Sequence, residues 1–237
     1  MQLRDKKLAI MQPTYLPWIG YFNLIHKSDI FVFLDSVQLT KRSWQVRNKI
    51  KDMSGELFLT IPIEKTKHRD ELMIRESKVN YETGWVNKHL KSIEHNYRKS
   101  NFFDEIYSII EKHLKTKYDV LSDLTIFMIR DFVKKLKIDT EMINSSSLVG
   151  IEGKKDEALI SICKNLNVNS YISPVGSKGY IESGDNLFNK NNINLEYHDF
   201  KHPIYNQFHG DFISHMGIID LLFNVGFKES EKIIKEI

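Results

Sequence analysis

The apolar positions at the start of the chain come in short runs separated by polar or rigid breaks. Residues 7–12 (KLAIMQ) have strand length and stop at Pro13, whose ring removes a backbone donor. Residues 15–20 (YLPWIG) follow no regular period, and residues 21–26 (YFNLIH) then open a helix. Residues 29–35 (DIFVFLD) form a second apolar run of β composition that ends in an acid. Strand, loop, helix and strand in this order predict a βαβ unit. Ligands collect at the carboxyl ends of parallel strands, so residues 12–18 and 35–44 are expected to converge on one crevice.

Further along, residues 57–63 (LFLTIPI) read as a strand lying beside the second one, and residues 70–80 as a polar loop holding a short strand at 72–75. Helix takes over from 82 to 137. Apolar residues recur there at three- and four-residue spacing, as in Ile106, Ile109, Ile110 and Leu114, then Leu121, Leu124, Ile129 and Phe132, which predicts three helices. Strands at 140–144 and 171–173 flank a helix at 155–166, and a further strand is expected at 195–197. A helix at 216–224 breaks at Val225 and Gly226 before a charged helix runs to Ile237. The expectation is one α/β domain over 1–237, with an open, mainly parallel sheet, a strand-loop-helix ligand site and a helical insertion at about 82–137.

Composition narrows the class. The 237 residues are 41% hydrophobic, enough to bury one large core or two small ones. No run approaches the roughly eighteen apolar residues of a membrane span, and the N-terminal apolar run is too short for a signal peptide. A cytoplasmic protein without membrane insertion is therefore expected. A lone cysteine, Cys163, excludes a disulfide framework, and its apolar helical neighbours mark it as a buried structural thiol. The net charge of +3 is spread along the chain, which favours anionic small molecules only weakly.

Four constellations carry candidate chemistry. In the first, Gln12, Tyr15, Trp18 and Tyr21 surround two prolines and Gly20 at the start of a helix, where backbone N–H groups suit an anion. The layout resembles nucleotidylyltransferase-like folds, but the two histidines of their His-x-Gly-His signature have no counterpart here. The same segment also reads as a rigid aromatic corner. In the second, Asp35 and Gln38 precede Lys41, Arg42, Trp44, Arg47 and Asn48, which gather cations for phosphate or carboxylate and an indole for a ring. A solvated basic loop is the alternative, and Asp35 serves as base or as turn cap. In the third, Ser173 leads into the Ser/Gly-rich loop of Ser177, Lys178 and Tyr180, a phosphate nest or an ordinary turn. In the fourth, His198, His202, His209 and His215 precede Asp220 and Asn224. His198 and His202 have helical ligand spacing, but the zincin Glu is missing and Pro203 opposes a helix, so no metal site is expected. A general base among these histidines is the better reading.

Residues 10–22 (IMQPTYLPWIGYF), 29–50, 171–180 and 212–227 (FISHMGIIDLLFNVGF) resemble the WbqC-like protein family, and the resemblance spans nearly the whole chain. What it implies is a transferase-type role in O-antigen and related surface-polysaccharide synthesis, with acyl or aminoacyl transfer, such as glycyl, to the amine of a nucleotide-linked amino sugar. On that implication Lys41, Arg42 and Arg47 hold a diphosphate, Trp18 or Trp44 stacks on a ring, and Asp35, His209 or His215 takes the proton. The expected partner is a nucleotide-linked sugar or another phosphorylated small molecule, with aminoacyl-tRNA as a further donor. No motif implies a cofactor, and oligomerisation stays open. Nucleotidyl or ATP-dependent chemistry, and a non-catalytic binding protein for glycans or nucleotide sugars, are the alternative readings.

Overall fold

The structure is a computed structural model that describes residues 6–40, 42–65, 72–174, 176 and 187–237. Strand β1 (Lys7–Met11), helix α1 (Ile19–His26) and strand β2 (Ile30–Phe33) form the βαβ unit expected from the apolar runs. β5 (Glu141–Asn144), β6 (Ser170–Ser173) and β7 (Asn194–Tyr197) complete a five-stranded sheet of order β5-β2-β1-β6-β7, parallel at every pairing. Because both faces of such a sheet are covered, its central strands are apolar at nearly every position rather than alternating. β2 is buried along its whole length. Ala9, Phe31, Phe33 and Ile172 face one core with α1, and Leu8, Ile10, Ile30 and Val32 face the other with helix α5 (Asp156–Asn165).

The segment after β2 departs from expectation. Residues 57–63 do not lie beside β2. Instead β3 (Arg47–Asp52) and β4 (Gly55–Thr60) pair antiparallel in a separate two-stranded sheet. Two residues, Met53 and Ser54, link them, and Gly55 takes a φ of 118°. A link that short closes a hairpin, whereas parallel pairing would need a crossover of a dozen residues. The expected strand at 72–75 is a 3₁₀ turn at Ile74–Glu76, because only Met73 finds a strand-like partner, Gln38.

The helical region holds α2 (Trp85–Tyr97), α3 (Phe103–Lys115) and α4 (Leu121–Lys135), whose apolar faces join the core that contains Phe31 and Phe33. The short α6 (Leu187–Lys190) leads into β7, and α7 (Ile218–Glu236) closes the chain. α7 kinks at Gly226, with φ 74° and ψ 171°, where a side chain would meet the Phe102 ring at 2.6 Å. That is the break expected at this glycine. No helix among the described residues is long and apolar enough to cross a membrane.

Chain order sets the position of a ligand crevice. From β1 the chain winds outward through β2 to β5, then crosses through α5 to β6 on the opposite side of β1. The winding direction therefore reverses between β1 and β6, and the loops leaving their carboxyl ends splay apart there.

Candidate functional site

Three adjoining hollows of about 290, 430 and 290 Å³ lie at that reversal, and all three share Met11, the last residue of β1. Trp18, Tyr21 and His215 line two of them, and Pro174, just past β6, also lines two. Together they form one crevice whose inner wall is aromatic.

Local sequence explains that wall. The Asn48 amide donates to the carbonyls of Tyr15 (3.0 Å) and Leu16 (2.8 Å), fixing the proline-rich loop against β3. The Tyr21 hydroxyl donates to the Gln12 carbonyl (3.1 Å), so the loop is closed from both ends. Trp18 precedes α1, and its indole lies over Gly20: a Cβ there would sit 2.3 Å from the ring. Gly217 allows a second close approach, since its Cβ would meet the Leu16 carbonyl at 2.9 Å. Its N–H donates to the Lys49 carbonyl (2.9 Å) and the Ile218 N–H to the Pro17 carbonyl (2.7 Å), which brings the start of α7 to the loop.

This approach carries His215 into the crevice. Its ring sits 4.9 Å from that of Trp18. Its Nδ1 is 2.8 Å from the Ser214 hydroxyl, while its Nε2 has no hydrogen-bond partner among the described residues. His202 lies beside it, 4.8 Å between ring centres. The His202 Nδ1–H donates to the Pro203 carbonyl (2.8 Å), and its Nε2 accepts from the His215 backbone N–H (3.0 Å), so it is held as one neutral tautomer. Burial lowers the pKa of His215 below its ordinary value, and the nearby Lys49 charge lowers it further. A neutral imidazole with one free nitrogen is the form a general base requires.

The other expected residues divide into two groups. Gln12 lines the widest hollow and accepts through Oε1 from Gln45 Nε2. Trp44 lines two hollows and is half exposed. Asn48 lines one. Tyr15 is instead wholly buried, its hydroxyl 3.0 Å from His89 Nδ1. Asp35 is buried and spent on strand ends. Its Oδ1 accepts from the Ser145 hydroxyl (2.8 Å) and the Ser146 N–H (2.8 Å), and its Oδ2 from the Ser146 hydroxyl (2.6 Å). Those bonds tie β2 to β5 and leave the carboxylate away from the crevice walls. His209 also points elsewhere, donating from Nε2 to the Asn96 carbonyl on α2 (3.0 Å). Gln38 and Arg42 are exposed, Ser173 is buried at the end of β6, and Arg47 stacks on Phe58 outside the crevice. Lys41, Ser177, Lys178 and Tyr180 lie outside the described residues.

Lys49 is a wall residue that sequence reading missed. It lies on β3 beside Asn48, and nothing in the local pattern sets it apart from Arg47 and Lys51. Also unforeseen is a buried polar network where α2 meets α7. Asp220 accepts from the Tyr97 hydroxyl (2.7 Å), the Tyr205 hydroxyl (2.8 Å) and Gln207 Nε2 (2.8 Å). Nearby Lys51 is buried, with its ammonium against the carbonyls of Gly210 and Asp211. No local pattern announces it, because its members come from four separate segments.

Comparison with known proteins agrees with the resemblance read from the motifs. The sequence profile of the WbqC-like protein family matches residues 12–232. A Mycobacterium tuberculosis protein described as "Uncharacterized protein Rv1507c" is 33% identical over 223 residues, covering 93% of this chain and 94% of that one. No solved structure matches.

Proposed function

The chain belongs to the WbqC-like protein family, and from that premise we propose that it is a transferase of bacterial surface-polysaccharide synthesis that acylates or aminoacylates the amine of a nucleotide-linked amino sugar. The observation that carries this reading is the pairing of Trp18 with His215 on one wall of the switch-point crevice. An indole suits the apolar face of a sugar ring, and a neutral imidazole beside it suits an amine that must lose a proton. The donor is an activated ester or thioester, such as an aminoacyl-tRNA. The amine nitrogen attacks the acyl carbon, the C–N bond forms, and the C–O or C–S bond to the carrier breaks. His215 Nε2 takes the proton from nitrogen and returns it to the departing alkoxide or thiolate. Lys49 lies on the same wall, with its ammonium paired to Glu56.

Purified protein is screened by thermal shift against nucleotide-linked amino sugars, plain nucleotides, acyl thioesters and aminoacyl-tRNA, because a ligand of the folded state raises the melting temperature. Stabilisation by an amino-sugar nucleotide is expected, with a mass gain equal to the acyl group once donor is added. Binding without any mass gain across the donor panel contradicts transfer and leaves a binding protein. Stabilisation only by a nucleoside triphosphate with magnesium replaces acyl transfer with nucleotidyl chemistry.

A further inference from the structure

The β3–β4 hairpin presents an arrangement that the crevice wall does not explain. Trp44 and Phe58 are 51% and 43% exposed, large values for two aromatic rings in contact. Their ring centres are 6.3 Å apart and their planes 26° from parallel. On the Phe58 ring lies the Arg47 guanidinium, 4.9 Å from the centroid. Arg47 makes no ion pair among the described residues, and its Nε is buried without a hydrogen-bond partner. Among the described residues the guanidinium is held by stacking, and no carboxylate there pairs with it. Its neighbour Lys49 differs, being paired with Glu56.

Arg47, Phe58 and Trp44 thus form one cluster of a cation and two rings. Its half-exposed indole lines two of the three hollows. We propose that Trp44, braced by this cluster, is a subsite for the planar base of a nucleotide, which stacks on the indole. The proposal rests on the transferase reading and adds the part of the substrate that is not chemically changed. Trp18 and His215 suit the reacting sugar, whereas the half-exposed Trp44 lets a stacked base keep its polar edges in water. Trp44, Trp18 and His215 line one hollow, so a diphosphate there can link a base on Trp44 to a sugar on Trp18. Stacking reads a π-face and not a hydrogen-bonding edge, so the subsite tolerates more than one base.

Isothermal titration tests this with UDP and ADP against two base-free probes, pyrophosphate and ribose 5-phosphate, on the wild type, Trp44→Phe and Trp44→Ala. Both diphosphonucleosides are expected to bind the wild type. Trp44→Ala should weaken them about 10- to 100-fold, while Trp44→Phe keeps most of the affinity because a ring remains. The base-free probes should bind weakly and equally to all three proteins. Unchanged affinity in Trp44→Ala, base-free probes binding as tightly as UDP, or no binding of either nucleotide would each overturn the subsite. The outcome separates from that of the transferase reading. An amino-sugar 1-phosphate acylated as fast as its nucleotide-linked form removes the base subsite and leaves transfer intact. Trp44-dependent nucleotide binding with no acyl transfer does the reverse.

Discussion

The α2–α4 helices and the crevice treat their histidines in opposite ways. Among these helices, His113 on α3 is buried with both ring nitrogens occupied: Nε2–H donates to Asp131 (2.8 Å) and Nδ1 lies 2.9 Å from the Tyr118 hydroxyl. Lys112 donates to the same carboxylate at 3.0 Å. In the crevice, His215 is exposed, and among the described residues only its Nδ1 has a hydrogen-bond partner. Both have a lowered pKa, for the same leading reason, burial of the ring. The pKa shift therefore does not distinguish structure from chemistry here. An unused nitrogen facing a hollow does. Polar groups that are fully paired hold the fold, and groups left unpaired at the switch point are available to a ligand.

That contrast breaks most visibly where α2 meets α7. Asp220→Ala removes the acceptor of three donors and strands Lys51 in the interior, which should cost about 3–5 kcal/mol in denaturant unfolding. Acid should loosen the same paired interior. Burial lowers the pKa of His89 and of His198 to about 4 from an ordinary 6.5. The unfolded chain thus binds protons first, and the stability present above pH 6.5 should fall as pH drops from 6.5 toward 4, read as a shift of the urea midpoint. Gly20→Ala sharpens the comparison from the crevice side. The new methyl group would overlap the Trp18 ring, so a loss of about 1–3 kcal/mol is expected together with weakened ligand binding. His215→Gln should change unfolding free energy least, by no more than about 0.5 kcal/mol, while slowing turnover about 10²- to 10⁴-fold. A large stability loss in that variant would show that His215 belongs with His113 after all.

The fold was readable where local pattern and tertiary role coincide. β1, α1 and β2 are apolar because a doubly covered parallel sheet demands it, and the break at Gly226 is a local backbone event. The hairpin strand β3 was not readable, because Arg47, Lys49 and Lys51 look like a solvated loop. Lys51 is nonetheless buried, and the carbonyls that accept its hydrogen bonds come from residues 159 and 160 positions away. The site divided along the same line. Trp18, Tyr21 and Gln12 follow directly from the β1 loop and reached the crevice. Asp35 and Tyr15 sit equally close to it in sequence, yet they are consumed by Ser145 and His89, 110 and 74 residues away. His215 was one of four C-terminal histidines, and only the close approach allowed by Gly217 singles it out.

Amide hydrogen exchange, followed by mass spectrometry with and without a nucleotide-linked amino sugar, tests most directly that the switch-point crevice is the working site. Slowed exchange is expected in peptides covering residues 12–21, 44–49 and 213–218, with helices α2 to α4 unchanged. Protection confined to α2–α4, with those three segments exchanging as in the free protein, would contradict it and move the site to those helices.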